Sequence, residues 1–341
     1  MDIREVDTLD IREVDVFDED QFHRSYEVMR AADVFERPEA TPWQEQEVRV
    51  EFRSPDQAER KAVFSAYDGD AAVGTAVLFF PLLDNTDMTW LGVYVDPAQR
   101  RRGVGSALLE RLVEETRRAG RKTMLAEAML PFERREDHPY RRFAEHHGFA
   151  LASVEIRRRL RLPVDDALIQ GWLDEAAPYH ADYRIETFAD PVPDELLPSV
   201  CHVSNQLAVD APSGDIEFEE EALTPEVWRE QDRTLQAMGR VRLITVALDG
   251  SGQAVALSTL SVPELDRPNA YQWATLVLRG HRGHRLGLAV KATNLRELQK
   301  RFPGYERIWT TNNETNAHMV SINERLGFER VELSAHFQRK L

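Results

Sequence analysis

Arg100-Arg101-Arg102-Gly103-Val104-Gly105-Ser106 sets three guanidinium groups and two glycines between an apolar run, Leu91-Gly92-Val93-Tyr94-Val95, and an amphipathic stretch, Ala107–Val113. Apolar strand, basic Gly-rich turn and helix together make a phosphate cradle. Glycines let backbone N–H groups point inward, and the helix N-terminus adds the positive end of its dipole. The arginines add charge to a phosphate at the rim.

The same layout returns later in the chain. Val277-Leu278-Arg279-Gly280-His281-Arg282-Gly283-His284-Arg285-Leu286-Gly287 lines up with Val95–Gly105 without a gap. A Gly-Phe pair follows each cradle, at Gly148-Phe149 and Gly327-Phe328. A hairpin-like segment precedes each, around Val63–Gly74 and Leu243–Gly252, and Ile11–Val14 has a counterpart in Arg184–Thr187. Four landmarks in one order at nearly constant offset indicate a duplicated domain rather than a solenoid.

A chain of 341 residues exceeds what one core usually supports, which agrees with two domains. The expected division is 1–165, a partly helical connector at 166–182, and 183–341, with residues 1–9 as a tail. That tail holds the first copy of a repeated hexapeptide, Asp2–Asp7, whose second copy, Asp10–Asp15, is expected to form the first strand. No apolar run approaches the ~20 residues of a membrane span, and the N-terminus has no apolar signal core. One cysteine, Cys201, cannot form an internal disulfide, so a cytoplasmic location is expected. A formal net charge of −16 argues against nucleic acid as partner and suits a cationic acceptor such as an amine. Nothing in the sequence chooses between monomer and homodimer.

In the first domain, strands are expected at Ile11–Val16, Val48–Arg53, Lys61–Tyr67, Val73–Leu82, Met88–Val95, Lys122–Met129 and Leu151–Leu162. Helices are expected near Gln21–Arg30, Gly103–Arg118 and Tyr140–His147. The second domain is expected to carry helices at Pro225–Met238, capped by Thr224, at Leu286–Arg301 and at Ala317–Leu326. Its strands are expected at Arg240–Leu248, Ala254–Pro263, Ala270–Leu278, Arg307–Thr311 and Val331–Phe337. This order predicts an α+β (mixed α/β) class with a central sheet in each domain.

The run Val95–Gly105 resembles the acyl-CoA signature of the GNAT superfamily of N-acyltransferases: Arg or Gln, two residues, Gly, one residue, then Gly or Ala. The tandem layout is similar to two-domain members such as mycothiol synthase. The resemblance implies, in each half, a mostly antiparallel sheet with a splayed parallel pair, flanked by helices, and acetyl-CoA as co-substrate in the splay. It implies that Val93, Tyr94, Val95, Arg100, Arg101, Arg102, Gly103, Val104, Gly105 and Ser106 bind the cofactor. The pyrophosphate would sit on backbone N–H groups, and the pantetheine arm would pair along the strand. A second candidate site holds Val277, Arg282, Gly283, His284, Gly287 and Asn316, but Arg285 stands there where the first cradle glycine belongs.

The family's usual acid is a tyrosine four residues before the late glycine; Ala144 and Asn323 occupy those positions. Tyr140, one turn earlier, is the candidate acid. Glu127, interrupting Met124–Met129, is the candidate base, since a carboxylate in an apolar strand is unfavourable unless partnered; Asp87 is a weaker candidate. Asn312, Asn313 and Asn316 either hold a ligand or cap a helix. His146-His147 is no metal pair, because adjacent helix residues do not share a face, and no metal site is expected. The function expected is transfer of an acetyl group from acetyl-CoA to a small-molecule amine. The alternative is a non-catalytic acyl-CoA-binding sensor or scaffold.

Overall fold

The computed structural model describes residues 9–341. The first hexapeptide copy lies outside them. The class is α+β, and the chain divides into two compact units. The first runs up to Ala128 and adds Glu136–Leu151 and His336–Leu341. The second comprises Met129–Arg135 and Ala152–Ala335.

The first unit begins with β1 (Asp10–Glu13), α1 (Glu19–Val34) and α2 (Glu45–Arg53). The α1 helix starts at Asp18, whose carboxylate accepts from the N–H groups of Asp20 and Gln21. Val48–Arg53, expected as a strand, is helical. A capping box between Gln44 and Glu47 fixes its start, and Val48 and Phe52, four apart, pack on Phe22 and Tyr26. Burial at helical spacing overrides the strand preference of Val and Phe.

Then follow β2 (Glu59–Asp68), β3 (Ala71–Pro81), β4 (Met88–Val95), α3 (Val104–Arg118), β5 (Thr123–Leu130) and α4 (Pro139–His146). Strands β1 to β4 pair antiparallel in sequence order. β4 and β5 pair in parallel, from Met88 opposite Thr123 to Leu91 opposite Ala126. Gly74 lets α3 lie close on β3, since a Cβ there would stand 2.5 Å from Val104 Cγ1. The last stretch of the chain completes the unit beside β5, where Leu341 N–H donates to Lys122 O at 2.8 Å.

The second unit holds most of β6 (Ala150–Arg161), then α5 (Asp166–Ala176), β7 (Arg184–Ala189), α6 (Leu197–Asn205), α7 (Leu207–Asp210) and α8 (Pro225–Ala237). Next come β8 (Arg240–Leu248), β9 (Ala254–Pro263), β10 (Asn269–Val277), α9 (Leu286–Arg301), β11 (Arg307–Asn313), α10 (Ala317–Arg325) and β12 (Glu329–Lys340). β12 contributes to this unit as far as Ala335 and to the first from His336. Thr224 caps α8 as its sequence predicts, its hydroxyl accepting from Val227 N. β7, β8, β9 and β10 pair antiparallel, with a bulge between Gln272 and Ala274. β10 and β11 pair in parallel over three residues, Asn269–Tyr271 with Arg307–Trp309. β6 runs antiparallel to β11, from Arg161 opposite Arg307 to Glu155 opposite Asn313. Among the described residues no helix is long and apolar enough to cross a membrane.

Candidate functional site

The parallel register of β4 and β5 ends at Leu91 and Ala126, so Gly92–Val95 leaves its neighbour on the side where the cradle begins. Backbone groups facing the gap have no strand partner there and can pair with an extended ligand. Asp96 caps a short 3₁₀ turn at Pro97–Gln99. Arg101 (φ 65°) and Gly103 (φ 84°) both take the left-handed conformation, and Gly103 is the N-cap of α3. A helix start leaves its first N–H groups without intrahelical acceptors, and here they belong to Val104, Gly105 and Ser106. Gly105 admits little more, since a Cβ would lie 3.4 Å from both Val95 Cγ2 and the Phe143 ring.

The three arginines differ in their surroundings. Arg100 stacks on Phe35 at 4.4 Å, and its Nη2 donates to the Tyr140 hydroxyl at 3.1 Å. Arg102 donates to Gln99 and lies 3.3 Å from Asp68. Arg101 is exposed and pairs with no described carboxylate, so its charge is available to an anion. Ser106 Oγ lies 3.0 Å from His147 Nε2 at the end of α4. Burial, then His146 and Arg339, hold that imidazole below its usual range. No sequence pattern marks His147, because its place beside the cradle depends on how α4 packs on α3.

On β4 the side chains alternate. Thr89 reaches Thr116 of α3 at 3.3 Å, and Val95 approaches Gly105 of the same helix. Gly92 and Tyr94 are on the opposite face, where Tyr94 packs against Val14, Val63 and Val77 beside Met29 of α1. Tyr94 folds back over Gly92, and a Cβ there would stand 2.9 Å from the Tyr94 hydroxyl. Burial pushes this hydroxyl up to about 12, with Asp33 and then Glu127 adding and Arg37 opposing. Glu127 is exposed rather than embedded in the apolar strand, because β5 has left β4 at that level. Tyr140 is half-buried at the start of α4, tied to Arg100. Ala144, one turn on, carries no hydroxyl. Asp87 is at the far end of β4, paired with Lys122 at 2.9 Å.

The second cradle has the same backbone and different electrostatics. Gly283 (φ 88°) and Arg285 (φ 51°) are left-handed, and Arg285 is the N-cap of α9. The side chain of Asp210 is buried between Arg279, at 2.5 Å, and Arg282, at 2.8 Å. Arg285 pairs with Glu175 and stacks on Tyr179. His284 Nδ1 lies 3.0 Å from Tyr179 O. Val277 O accepts from Arg282 Nε at 3.2 Å. A Cβ on Gly287 would meet Ile322 at 3.5 Å.

Where this unit's strands part, its own polar side chains bond to one another and to the backbone. Gln272 Nε2 donates to Thr259 O at 2.8 Å and Ala274 O at 2.7 Å. Asn323 Nδ2 donates to Asn312 Oδ1 at 2.9 Å, and Asn323 Oδ1 accepts from the buried Lys291. Burial, with Arg158 adding, pulls Lys291 down to about 7. Asn316 caps α10, accepting from Met319 N at 3.2 Å, and Asn313 Oδ1 accepts from Thr315. The helix-capping role therefore accounts for Asn316, while Asn312 and Asn313 lie on β11 and are spent on internal bonds.

Residues 27–149 match the model of the Acetyltransferase (GNAT) family. No curated protein matches the chain by sequence. Among solved structures, the chain is similar to a tandem GNAT protein from the clavulanic acid biosynthesis pathway, at 22% identity and a TM-score of 0.77, covering 97% of this chain and 98% of that one. A GCN5-related N-acetyltransferase from Sphaerobacter thermophilus matches at 16% identity and a TM-score of 0.63, over 98% and 96%. The N-myristoyltransferase of Saccharomyces cerevisiae matches at 9% identity and a TM-score of 0.60, over 98% and 80%. At these identities the likeness is one of fold.

Proposed function

We propose, from the premise that residues 27–149 are a domain of the GNAT acetyltransferase family, that this protein transfers an acetyl group from acetyl-CoA to the amine of a small molecule, using its first unit. The family supports acyl transfer from acyl-CoA; the acetyl donor, the amine acceptor and a cytoplasmic setting are our reading. One observation carries it: a parallel pair that separates after Leu91 and Ala126 and leads into a helix capped by left-handed Gly103. Open space around Gly103 leaves room for a pyrophosphate, and Arg101 supplies unpaired charge.

In this reading the backbone of Val93–Val95 holds the pantetheine arm, and the N–H groups from Arg101 to Ser106 hold the phosphates. The enzyme contributes proximity, a backbone donor toward the thioester oxygen and a route for the amine proton. The second unit acts as a structural partner, because Asp210 and Glu175 already occupy its cradle arginines. A non-catalytic acyl-CoA-binding role is the second reading, favoured by Ala144 at the family's tyrosine position. A thiol-release assay with acetyl-CoA and a panel of amines tests the two. Amine-dependent release supports the enzyme, and binding without release supports the sensor.

A further inference from the structure

Two cations of the second unit are buried without a counter-ion. Lys291 of α9 is 3% exposed and Arg158 of β6 is 1% exposed. Lys291 donates to the neutral Asn323 Oδ1, and its Nζ lies 5.0 Å from the Phe328 ring centre. Arg158 makes no hydrogen bond or ion pair with any described residue, and its buried Nε has no acceptor. Arg157 and Arg159 are on the other face of β6, where Glu332 and Glu329 engage them.

Register brings the two cations together. Arg158 stands opposite Thr310, between the pairs Ile156–Asn312 and Leu160–Ile308 on the same face. Both flanking pairs lead to Lys291. Asn312 accepts from Asn323, which in turn accepts from Lys291. Leu160 and Ile308 line a cavity with Lys291 and Gln272, of about 10 Å³, the room of one water molecule. Gln272 and Thr310 are the first residues past the parallel pairing of β10 with β11, so the cations are at the fork of those strands. After burial, Arg158 is what lowers the Lys291 amine. Burial and then Arg330 of β12 hold Arg158 below its usual range; Glu324 and Glu314 oppose this without pairing with it, and Glu314 binds Arg330 at 2.8 Å.

We propose that Lys291 and Arg158 bind a small monovalent anion at the fork of β10 and β11. A charge taken out of water needs a partner, and no carboxylate of the described residues supplies one. A lysine ammonium carries three N–H donors, of which Asn323 takes one, and an arginine carries five, none of them taken here. The cavity suits an ion of chloride size or the head of a carboxylate as small as formate. Without the anion, burial pulls the amine down to about 7. Above that pH the anion must therefore enter together with a proton. Once bound, it ties α9 to β6 and makes the stability of the second unit depend on anion and pH together.

The test melts the full chain in sodium gluconate, chloride and formate at matched ionic strength, at pH 7 and pH 9. Gluconate is too large for the cavity and accounts for the screening of a net charge of −16. Chloride, formate or both should raise the melting temperature at pH 7 by roughly 2–4 °C, the shift given to a unit of this size by a ligand at several times its dissociation constant. Affinity should fall about tenfold per pH unit above 7, since binding draws in one proton, and the shift should vanish by pH 9. A shift with chloride alone assigns a halide, and one with formate alone assigns a carboxylate. Lys291→Met should melt at one temperature in all three salts. A wild type that melts equally in the three salts overturns the proposal. So does a shift that is the same at pH 7 and pH 9, or one that survives in Lys291→Met. Should that variant not fold, the wild-type comparison of salts and pH still decides, and Arg158→Met repeats the test from the other cation.

Discussion

Lys291 Nζ donates to Asn323 Oδ1 at 2.5 Å and pairs with no carboxylate among the described residues, at two positions where the first unit carries Leu109 and Ala144. Burial holds the amine near 7 in the folded state, against 10.5 ordinarily. At this site the unfolded chain therefore binds more protons between those values, and the site's contribution to folding stability falls as pH drops from about 10 toward 7. Each pKa unit is worth about 1.4 kcal/mol, so the penalty at neutral pH is several kcal/mol. Lys291→Met removes it but leaves Asn323 Oδ1 without its donor, at roughly 1–3 kcal/mol. The variant should unfold at higher temperature than wild type at pH 7, with the advantage lost by pH 10. Thermal melts at both values check this, and a pH-independent difference refutes it.

Gly103→Glu should abolish acetyl-CoA binding. A Cβ there meets nothing within 4 Å, so the fold survives apart from the strain of a left-handed residue, roughly 1–2 kcal/mol. The carboxylate, in contrast, stands where a pyrophosphate is expected. Calorimetry showing wild-type affinity would remove the cradle from the cofactor site.

Titration should give one tight acetyl-CoA site per chain. Arg285→Gly relieves a left-handed side chain in the second cradle, and Asp210→Ala frees Arg279 and Arg282. Either change should raise weak binding there. Two equally tight sites in wild type would contradict the assignment of the second unit to a structural role.

Tyr140→Phe should change the rate little, since its hydroxyl is occupied by Arg100 at the cradle rim. Glu127→Gln should lower it more, and flatten the rise of rate with pH. A large loss in Tyr140→Phe beside an unaffected Glu127→Gln would make Tyr140 the acid after all.

The cradle was legible in sequence because its geometry demands particular residues. A left-handed N-cap asks for glycine, and Gly103 answers in the run that also supplies the arginines. The splay was expected only by resemblance, since a register that stops after Leu91 leaves no trace in composition. Tyr94 reads in sequence as an ordinary strand aromatic; that its ring folds back over Gly92 shows only in the structure. The pairing of Asp210 and Glu175 with the second cradle joins residues far apart in the chain, which no local pattern reveals. Lys291 read as one polar position in an amphipathic helix, yet its side chain is buried. Val48–Arg53 misled because Val and Phe favour strands where nothing else decides, and here the packing of Val48 and Phe52 decided.

Because His336–Leu341 lies in the first unit and Ala152–Arg161 in the second, neither half of the chain contains all of its own edge. During synthesis, at roughly 5–20 residues per second, β5 must wait with an uncovered flank while more than two hundred further residues are made. A ribosome-bound chain halted before His336 would therefore expose that flank to other nascent chains. Expressing either half alone would leave one border without its last strand. Each unit thus needs a stretch of chain from the other half of the sequence to be complete.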